Sequence, residues 1–308
     1  MKSAIVTGAT GFVGHWLIRA LLAEHIPTTA VIREGRKLPP DWPESALLTV
    51  VECSMDHYSS LPERIPAQPG AVFFHLAWAG VSGTERSDAV IQLANIAASK
   101  AAVEAAAALG CATFVGLGTI MEQEAIAVTD TNGTKPGMGY LYGEAKHMAH
   151  LLTKAVAAQH GICHIWPMLT NAYGEYEYSP RFINSTLRKI LHHEPLEFTA
   201  ATQIYDFIHI EDTVKALIAL GKSGQAGHSY VIGSGHAAPL RSFIETIGRT
   251  LAPDQPLLFG NVPFTGATLP AESFSIDHLT TDTGFRPGIS FADGICRTMR
   301  WIKEMEDH

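Results

Sequence analysis

At 308 residues the chain can bury one large core, or a main domain with a smaller appendage; its formal charge of −8, with lysine and arginine scattered, gives neither nucleic acid nor an anionic membrane a basic surface to bind. No apolar run approaches the roughly 18 residues of a spanning helix, and Met1-Lys2 leads straight into an apolar strand pattern without a signal segment. The four cysteines, Cys53, Cys111, Cys163 and Cys296, lie far apart without metal-ligand or redox spacing, so no metal site is expected and the thiols read as those of a reduced, cytoplasmic protein.

The first apolar run, Ala4-Ile5-Val6, ends in Thr7-Gly8-Ala9-Thr10-Gly11-Phe12-Val13-Gly14 and opens a helical pattern over 12–24. A strand that turns on glycines into a helix offers bare backbone N–H groups and a helix N-terminus to a pyrophosphate. Gly8 allows the tight turn, Gly11 lets phosphates approach the backbone, and Gly14 lets the helix pack on the strand. With Thr10, Phe12 and Val13 they form the expected cradle of a dinucleotide, NAD or NADP.

Further strands are predicted at 28–33, 47–52, 71–77, 113–117 and 162–167, with helices at 89–109 and 140–160 and a shorter one near 59–64. This alternation predicts an α/β fold, a Rossmann-type doubly wound parallel sheet with helices on both faces. The small residues of 101–109 suit close packing against the 140–160 helix, against a second subunit, or against the helix's own sheet. Beyond Tyr173, Pro180, Pro195, Pro239, Pro253, Pro256, Pro263 and Pro270 break the chain into short elements, with helices near 180–191, 211–220, 239–251 and 291–304. The expected organisation is a dinucleotide-binding domain over 1–172, to which segments near 205–232 return, and a smaller, mixed, mainly substrate-binding lid over 173–308.

Arg33 closes the second strand, where NAD binders usually place an acidic residue for the ribose hydroxyls. Arg33 and Arg36 would instead pair with a ribose 2′-phosphate, so NADP(H) is favoured; Glu34 counts against it, and NAD(H) stays open. Tyr142 and Lys146 are four apart in a helical pattern and share a face. A nearby ammonium stabilises a phenolate, which makes tyrosine usable as acid and base. Thr119, after the strand at 113–117, offers a hydroxyl to hold the reacting oxygen. Trp78 leaves the strand at 71–77 at its carboxyl end and could wall a ligand pocket, as could Thr170; a core tryptophan is the bland alternative.

In this order, the glycine-rich turn, Thr119 and Tyr142-x-x-x-Lys146 resemble the extended short-chain dehydrogenase/reductase family, whose members mostly act on nucleotide-activated sugars. Phe74-His75-Leu76-Ala77 is similar to its fourth-strand segment beside the cofactor ribose, Asn171-Ala172-Tyr173-Gly174 to the Asn-x-Tyr-Gly that opens its lid, and Tyr205–Asp212 to its Arg-Asp-Phe-x-His-Val-x-Asp segment. The resemblance implies Thr119, Tyr142 and Lys146 as the catalytic group. It implies cofactor contacts at Leu76, Ala77, Trp78, Lys146 and Met168, and a homodimer through the helices at 89–109 and 140–160.

Several positions depart from the family pattern. Its dehydratases carry an Asp-Glu pair after the catalytic Thr; here Ile120 and Met121 stand there, beside the substrate, and Glu122 follows one residue later, expected to point elsewhere. Tyr205 replaces the arginine that meets the diphosphate, leaving Arg181, Arg188 or Arg241 as candidates beside Asn171 and Thr170. Cys53 stands where an Asp often meets the adenine, so Ser54 or Asp56 could take over. His209 is expected to organise the lid with Asp206 and Asp212. The resemblance therefore implies a nucleotide-sugar 4-ketoreductase, with a 4-epimerase retaining NAD as the alternative and a non-catalytic NADP-binding regulator as a third reading.

Overall fold

The computed structural model describes residues 1–129, 137–264 and 266–307. The strands in chain order are β1 (Ala4–Thr7), β2 (Thr28–Ile32), β3 (Leu48–Glu52), β4 (Val72–His75), β5 (Thr113–Gly116), β6 (Gly118–Thr119), β7 (Cys163–Leu169), β8 (Asn171–Tyr173), β9 (Leu196–Phe198), β10 (Ile204–Tyr205), β11 (Phe207–His209), β12 (Ser229–Ile232), β13 (Ala238–Pro239) and β14 (Leu257–Phe259). The helices are α1 (Phe12–Ala23), α2 (Leu61–Arg64), α3 (Ala89–Ala108), α4 (Met121–Thr129), α5 (Leu141–His160), α6 (Phe182–Leu191), α7 (Ile210–Ser223), α8 (Leu240–Leu251), α9 (Asp277–Thr283) and α10 (Phe291–Glu306). None is long and apolar enough to cross a membrane, among the described residues.

The chain forms two compact units: Met1–Leu169 with Val214–Val231 and Asp277–Phe285, and Thr170–Thr213 with Ile232–Ile276 and Arg286–His308. The first holds a sheet in the order β12-β7-β5-β4-β1-β2-β3, with β6 alongside β7. Pairing is parallel from β3 through β2, β1, β4 and β5 to β7, in register Ile5–Thr29, Ile5–Phe73, Phe73–Phe114 and Phe114–His164. The order reverses between β1 and β4, the switch point at which open α/β sheets bind ligands. Strands β1, β2 and β4 are buried along their whole length, as strands covered on both faces must be. Helix α3 packs along α5, and its Ala98, Ala102, Ala105 and Ala106 join Phe73, Phe114 and Leu61 in the core.

Helix α4 and strand β12 are absent from the elements expected from the sequence. In α4 the buried residues are Glu122 and Ala125. A carboxylate on the inner face inverts the apolar periodicity by which such helices are recognised.

The second unit has its own core, centred on Phe207, Leu187, Ile244, Ile295 and Ile302. Strand β8 runs parallel to β11, with Asn171 opposite Phe207 and Tyr173 opposite His209. Asp206 accepts from Ser234 N (2.7 Å) and Gly235 N (3.1 Å), and Asp212 from Gly288 N (2.9 Å) and Ile289 N (2.8 Å). These two buried carboxylates pin returning loops by satisfying backbone donors. His209, at the end of β11, has its Nε2 3.1 Å from Glu175 Oε2, and its Nδ1 accepts from Glu211 N (3.3 Å).

Candidate active site

The turn after β1 has the geometry its glycines imply. Gly8 has φ +67°, and a Cβ there would come 2.7 Å from Ala77 N. A Cβ on Gly14 would collide with Gly8 O, so α1 can lie this close to β1 only with glycine. Gly11 is the N-cap of α1 and supplies no side-chain cap, with Phe12 and Val13 next. An uncapped helix start with bare N–H groups at the switch point fits a dinucleotide pyrophosphate. Thr10 is half-buried beside it.

At the end of β2, Arg33, Glu34, Gly35, Arg36 and Lys37 line an open recess of about 370 Å³. Glu34 is drawn aside by Arg64 (3.2 Å), which also donates to Glu52 O (2.7 Å). Cys53 is buried, its Sγ 3.4 Å from His57 O, and burial raises its thiol pKa. Ser54 stands at the N-cap position of the following turn without a side-chain capping bond, and Asp56 is exposed. Met168 lies opposite Gly118 in the β6–β7 pairing.

Strand β4 ends at His75, earlier than the predicted 77, so Leu76, Ala77 and Trp78 form the loop beyond it. Asn95 holds that loop through both backbone groups of one residue, accepting from Ala79 N and donating to Ala79 O at 2.9 Å each. Gln92 accepts from Trp78 Nε1 (2.9 Å) and donates to Gly80 O (3.2 Å). Asn95 and Gln92 sit on α3, whose first turn Asp88 caps through Val90 N and Ile91 N. Their role was not visible in the sequence, where they read as ordinary polar helix residues.

The indole fixed in this way gathers the helical pair. Lys146 Nζ lies 3.8 Å from the Trp78 ring centroid, and the Tyr142 ring meets the same indole edge-on at 6.2 Å. Lys146 is buried and donates to Leu117 O at 2.6 Å. Burial pulls its pKa down to about 7, against the upward pull of Glu122. The Arg86 guanidinium lies 4.8 Å from the Tyr142 ring centroid, and it also contacts the Met121 sulfur.

Thr119 is buried at the end of β6, its hydroxyl accepting from Met121 N (3.4 Å). Ile120 is buried and donates its N–H to Leu169 O (2.9 Å). Glu122 turns inward: its Oε1 accepts from Thr119 N (2.9 Å) and Trp166 Nε1 (3.0 Å). Gly118 leaves room for this, since a Cβ there would strike Trp166 Nε1 and Glu122 Oε1. Two imidazoles of α5, His147 and His150, face the same carboxylate.

The remaining candidates belong to the second unit. Asn171, Arg181, Phe182, Asn184 and Phe207 line a small cavity of about 40 Å³ there. Asn171 Nδ2 donates to Asp206 O (3.1 Å), and Arg181 Nε lies 3.7 Å from Glu177 Oε2. Thr170 is buried and its N–H goes to Ile232 O (3.0 Å). Tyr205 stacks on Phe207 at 5.7 Å. Arg188 pairs with Glu306, and Arg241 is engaged by Glu245 (3.0 Å) with its guanidinium 4.0 Å from the Phe259 ring centroid. Of the three candidate arginines, Arg181 is the one at the cavity.

The chain belongs to the NAD dependent epimerase/dehydratase family, whose model matches residues 4–233. It is 24% identical over 313 residues to a dTDP-glucose 4,6-dehydratase of Streptomyces griseus, covering 96% of this chain and 93% of that one. To a CDP-abequose synthase of Salmonella typhimurium it is 25% identical over 272 residues, 83% of each chain. Among solved structures, a UDP-glucose 4-epimerase of Thermotoga maritima superimposes with a TM-score of 0.80 at 19% identity, over 99% of both chains, and so shares the fold.

Proposed function

We propose that the protein is an NAD(P)-dependent oxidoreductase acting at C4 of a nucleotide-activated sugar, and within that class a 4-ketoreductase. The bound dinucleotide supplies the hydride that C4 receives. Tyr142 gives its phenolic proton to the oxygen of the former carbonyl, Lys146 stabilises the phenolate left behind and orients the cofactor ribose, and Thr119 donates a hydrogen bond to the same oxygen. The sugar-nucleotide substrate class is supported by the two curated relatives, which are named for dTDP-glucose and CDP-abequose chemistry.

The observation that carries this reading over a dehydratase is the orientation of Glu122, while the basic residues after β2 favour the reductase over the epimerase. The two positions after Thr119 are apolar Ile120 and Met121, and the next carboxylate is turned to Trp166 and the Thr119 backbone. A site with a hydroxyl, a phenol and an ammonium can exchange a proton at C4; removing water from the sugar would ask for an acid and base beside Thr119. The cluster of Arg33, Arg36 and Lys37, with Glu34 held by Arg64, supports NADP(H) as an exchangeable cofactor. Four free thiols support a reducing, cytoplasmic setting, and exposed Val90 and Leu93 on α3 with Met148 and Leu151 on α5 support a homodimer through these helices.

The test is to denature freshly purified protein, identify any dinucleotide released, and then assay 4-keto sugar nucleotides with NADPH and NADH. An empty protein that oxidises NADPH with a 4-keto substrate supports the reductase. Stoichiometric NAD or NADH on the protein, with interconversion of C4 epimers and no net cofactor turnover, replaces it with the 4-epimerase.

A further inference from the structure

Glu122, His147 and His150 form a cluster that the proposed reaction does not use. Each presents a ligand atom within 4.8 Å of the other two. Glu122 Oε2 lies 3.5 Å from His150 Nδ1 and 4.0 Å from His147 Nδ1. These spacings are too long for charge-assisted hydrogen bonds, which run at about 2.7–2.9 Å. They approach the roughly 3.3–3.4 Å that separates donor atoms sharing a tetrahedral cation with bonds of about 2.0–2.1 Å.

The surroundings match those of metal ligands. The other nitrogen of His150, Nε2, is 3.1 Å from Ser229 Oγ on β12. Donation of Nε2–H to that hydroxyl leaves the Nδ1 lone pair facing Glu122, the arrangement in which an outer hydrogen bond sets a ligand's tautomer. The His150 ring is also clamped flat on Trp166, at 4.9 Å and 4°. Glu122 is 1% exposed; its Oε1 accepts from Thr119 N and Trp166 Nε1, and its Oε2 also lies 3.2 Å from Trp166 Nε1, so its orientation is set from behind. His147, with 35% of its side chain exposed, stands on the solvent side and leaves a route of entry. One carboxylate and two imidazoles suit divalent transition ions such as Zn²⁺ better than Mg²⁺ or Ca²⁺, which prefer all-oxygen shells.

We propose that Glu122, His147 and His150 bind one divalent transition-metal cation, with water completing the shell on the side of His147. The cation ties α4 to α5, and through Glu122 it braces the backbone of Thr119. It takes no part in the transfer of hydride or proton.

The test is a Co²⁺ titration of chelator-stripped, full-length protein, read by visible d–d absorption, followed by displacement with Zn²⁺ and by thermal unfolding with and without Zn²⁺. The expected result is one Co²⁺ per chain with the absorption of a low-coordinate site, lost on adding one Zn²⁺, and a rise in Tm with Zn²⁺. His147→Asn, at a half-exposed position, is expected to fold normally and lose more than the roughly 10–100-fold in affinity that removal of an outer-shell partner costs; Ser229→Ala falls within that range. The proposal is overturned if the wild-type protein gives no stoichiometric Co²⁺ absorption, or if His147→Asn binds as tightly as wild type. A His150 ring shown by NMR to carry both protons at neutral pH and to ignore added Zn²⁺ also overturns it, since the cluster is then an ion pair.

Discussion

The ammonium of Lys146 lies 3.8 Å from the centre of the Trp78 indole while donating to Leu117 O at 2.6 Å. Three segments meet in this contact: α5 supplies the lysine, the loop after β4 the indole, and the residue that follows β5 the carbonyl. Gln92 holds the indole from α3. The pair thereby links the proposed proton-transfer helix to the loop that borders the cofactor turn.

Trp78→Ala removes a cation–π contact of about 0.5–2 kcal/mol, so kcat/KM is expected to fall roughly 2–30-fold. Trp78→Phe keeps an aromatic face and loses only the Gln92 bond, and should recover most of that loss. Steady-state kinetics of both variants decide the point; an unchanged Trp78→Ala enzyme would show that the contact does not position Lys146.

Tyr142→Phe is expected to lower kcat by about 10²–10⁴-fold, the usual worth of a positioned proton donor, while leaving cofactor affinity within a few-fold. Fluorescence titration with NADPH and a rate assay on the same preparation separate the two effects. Retention of full activity would remove Tyr142 from the proposed chemistry.

Gly14→Ala tests the closeness of α1 to β1. The added methyl would meet backbone atoms, Gly8 O and Ala9 Cα, which cannot rotate away as a side chain could. A loss of about 1–3 kcal/mol or more is expected in urea unfolding, together with weaker dinucleotide binding. A variant as stable as wild type would contradict the packing described.

His75 links stability to pH. It is buried between Thr7 Oγ1 (2.9 Å) and Ser99 Oγ (3.0 Å), and burial, aided by the Lys146 charge, holds its pKa at about 3 against 6.5 for a free imidazole. The folded state keeps His75 neutral where the unfolded chain takes up a proton. Its contribution is therefore complete above pH 6.5 and lost as pH falls toward 3, with a slope approaching about 1.4 kcal/mol per pH unit. Unfolding free energies measured from pH 7 to 5 should decline accordingly, and His75→Asn should remove about one proton from the slope.

Replacing both Arg33 and Arg36 by Glu should weaken NADPH much more than NADH, cutting the preference by at least about tenfold, because charged hydrogen bonds to a 2′-phosphate are replaced by repulsion. Binding titrations with the two cofactors measure this directly. An unchanged ratio would leave these arginines without a role in cofactor choice.

Elements whose signal is local were legible in the sequence. The apolar runs that became β1, β2 and β4 are buried along their length, the glycine spacing matches the turn it predicted, and the period of Tyr142 and Lys146 put both beside one indole. Backbone geometry writes such patterns within a few residues, so they survive in one dimension. Tertiary structure alone decided which charges are engaged and which way they face. Glu122 meets Trp166 across 44 positions of chain, Glu34 meets Arg64 across 30, and Gln92 meets Trp78 across 14. Helix α4 was hidden because its inner face carries that glutamate, and only the packing of α4 on α5 brings the carboxylate to His147 and His150. Pairings of this kind depend on the order in which strands assemble, and the energy that holds a buried charge comes from partners that local sequence does not contain.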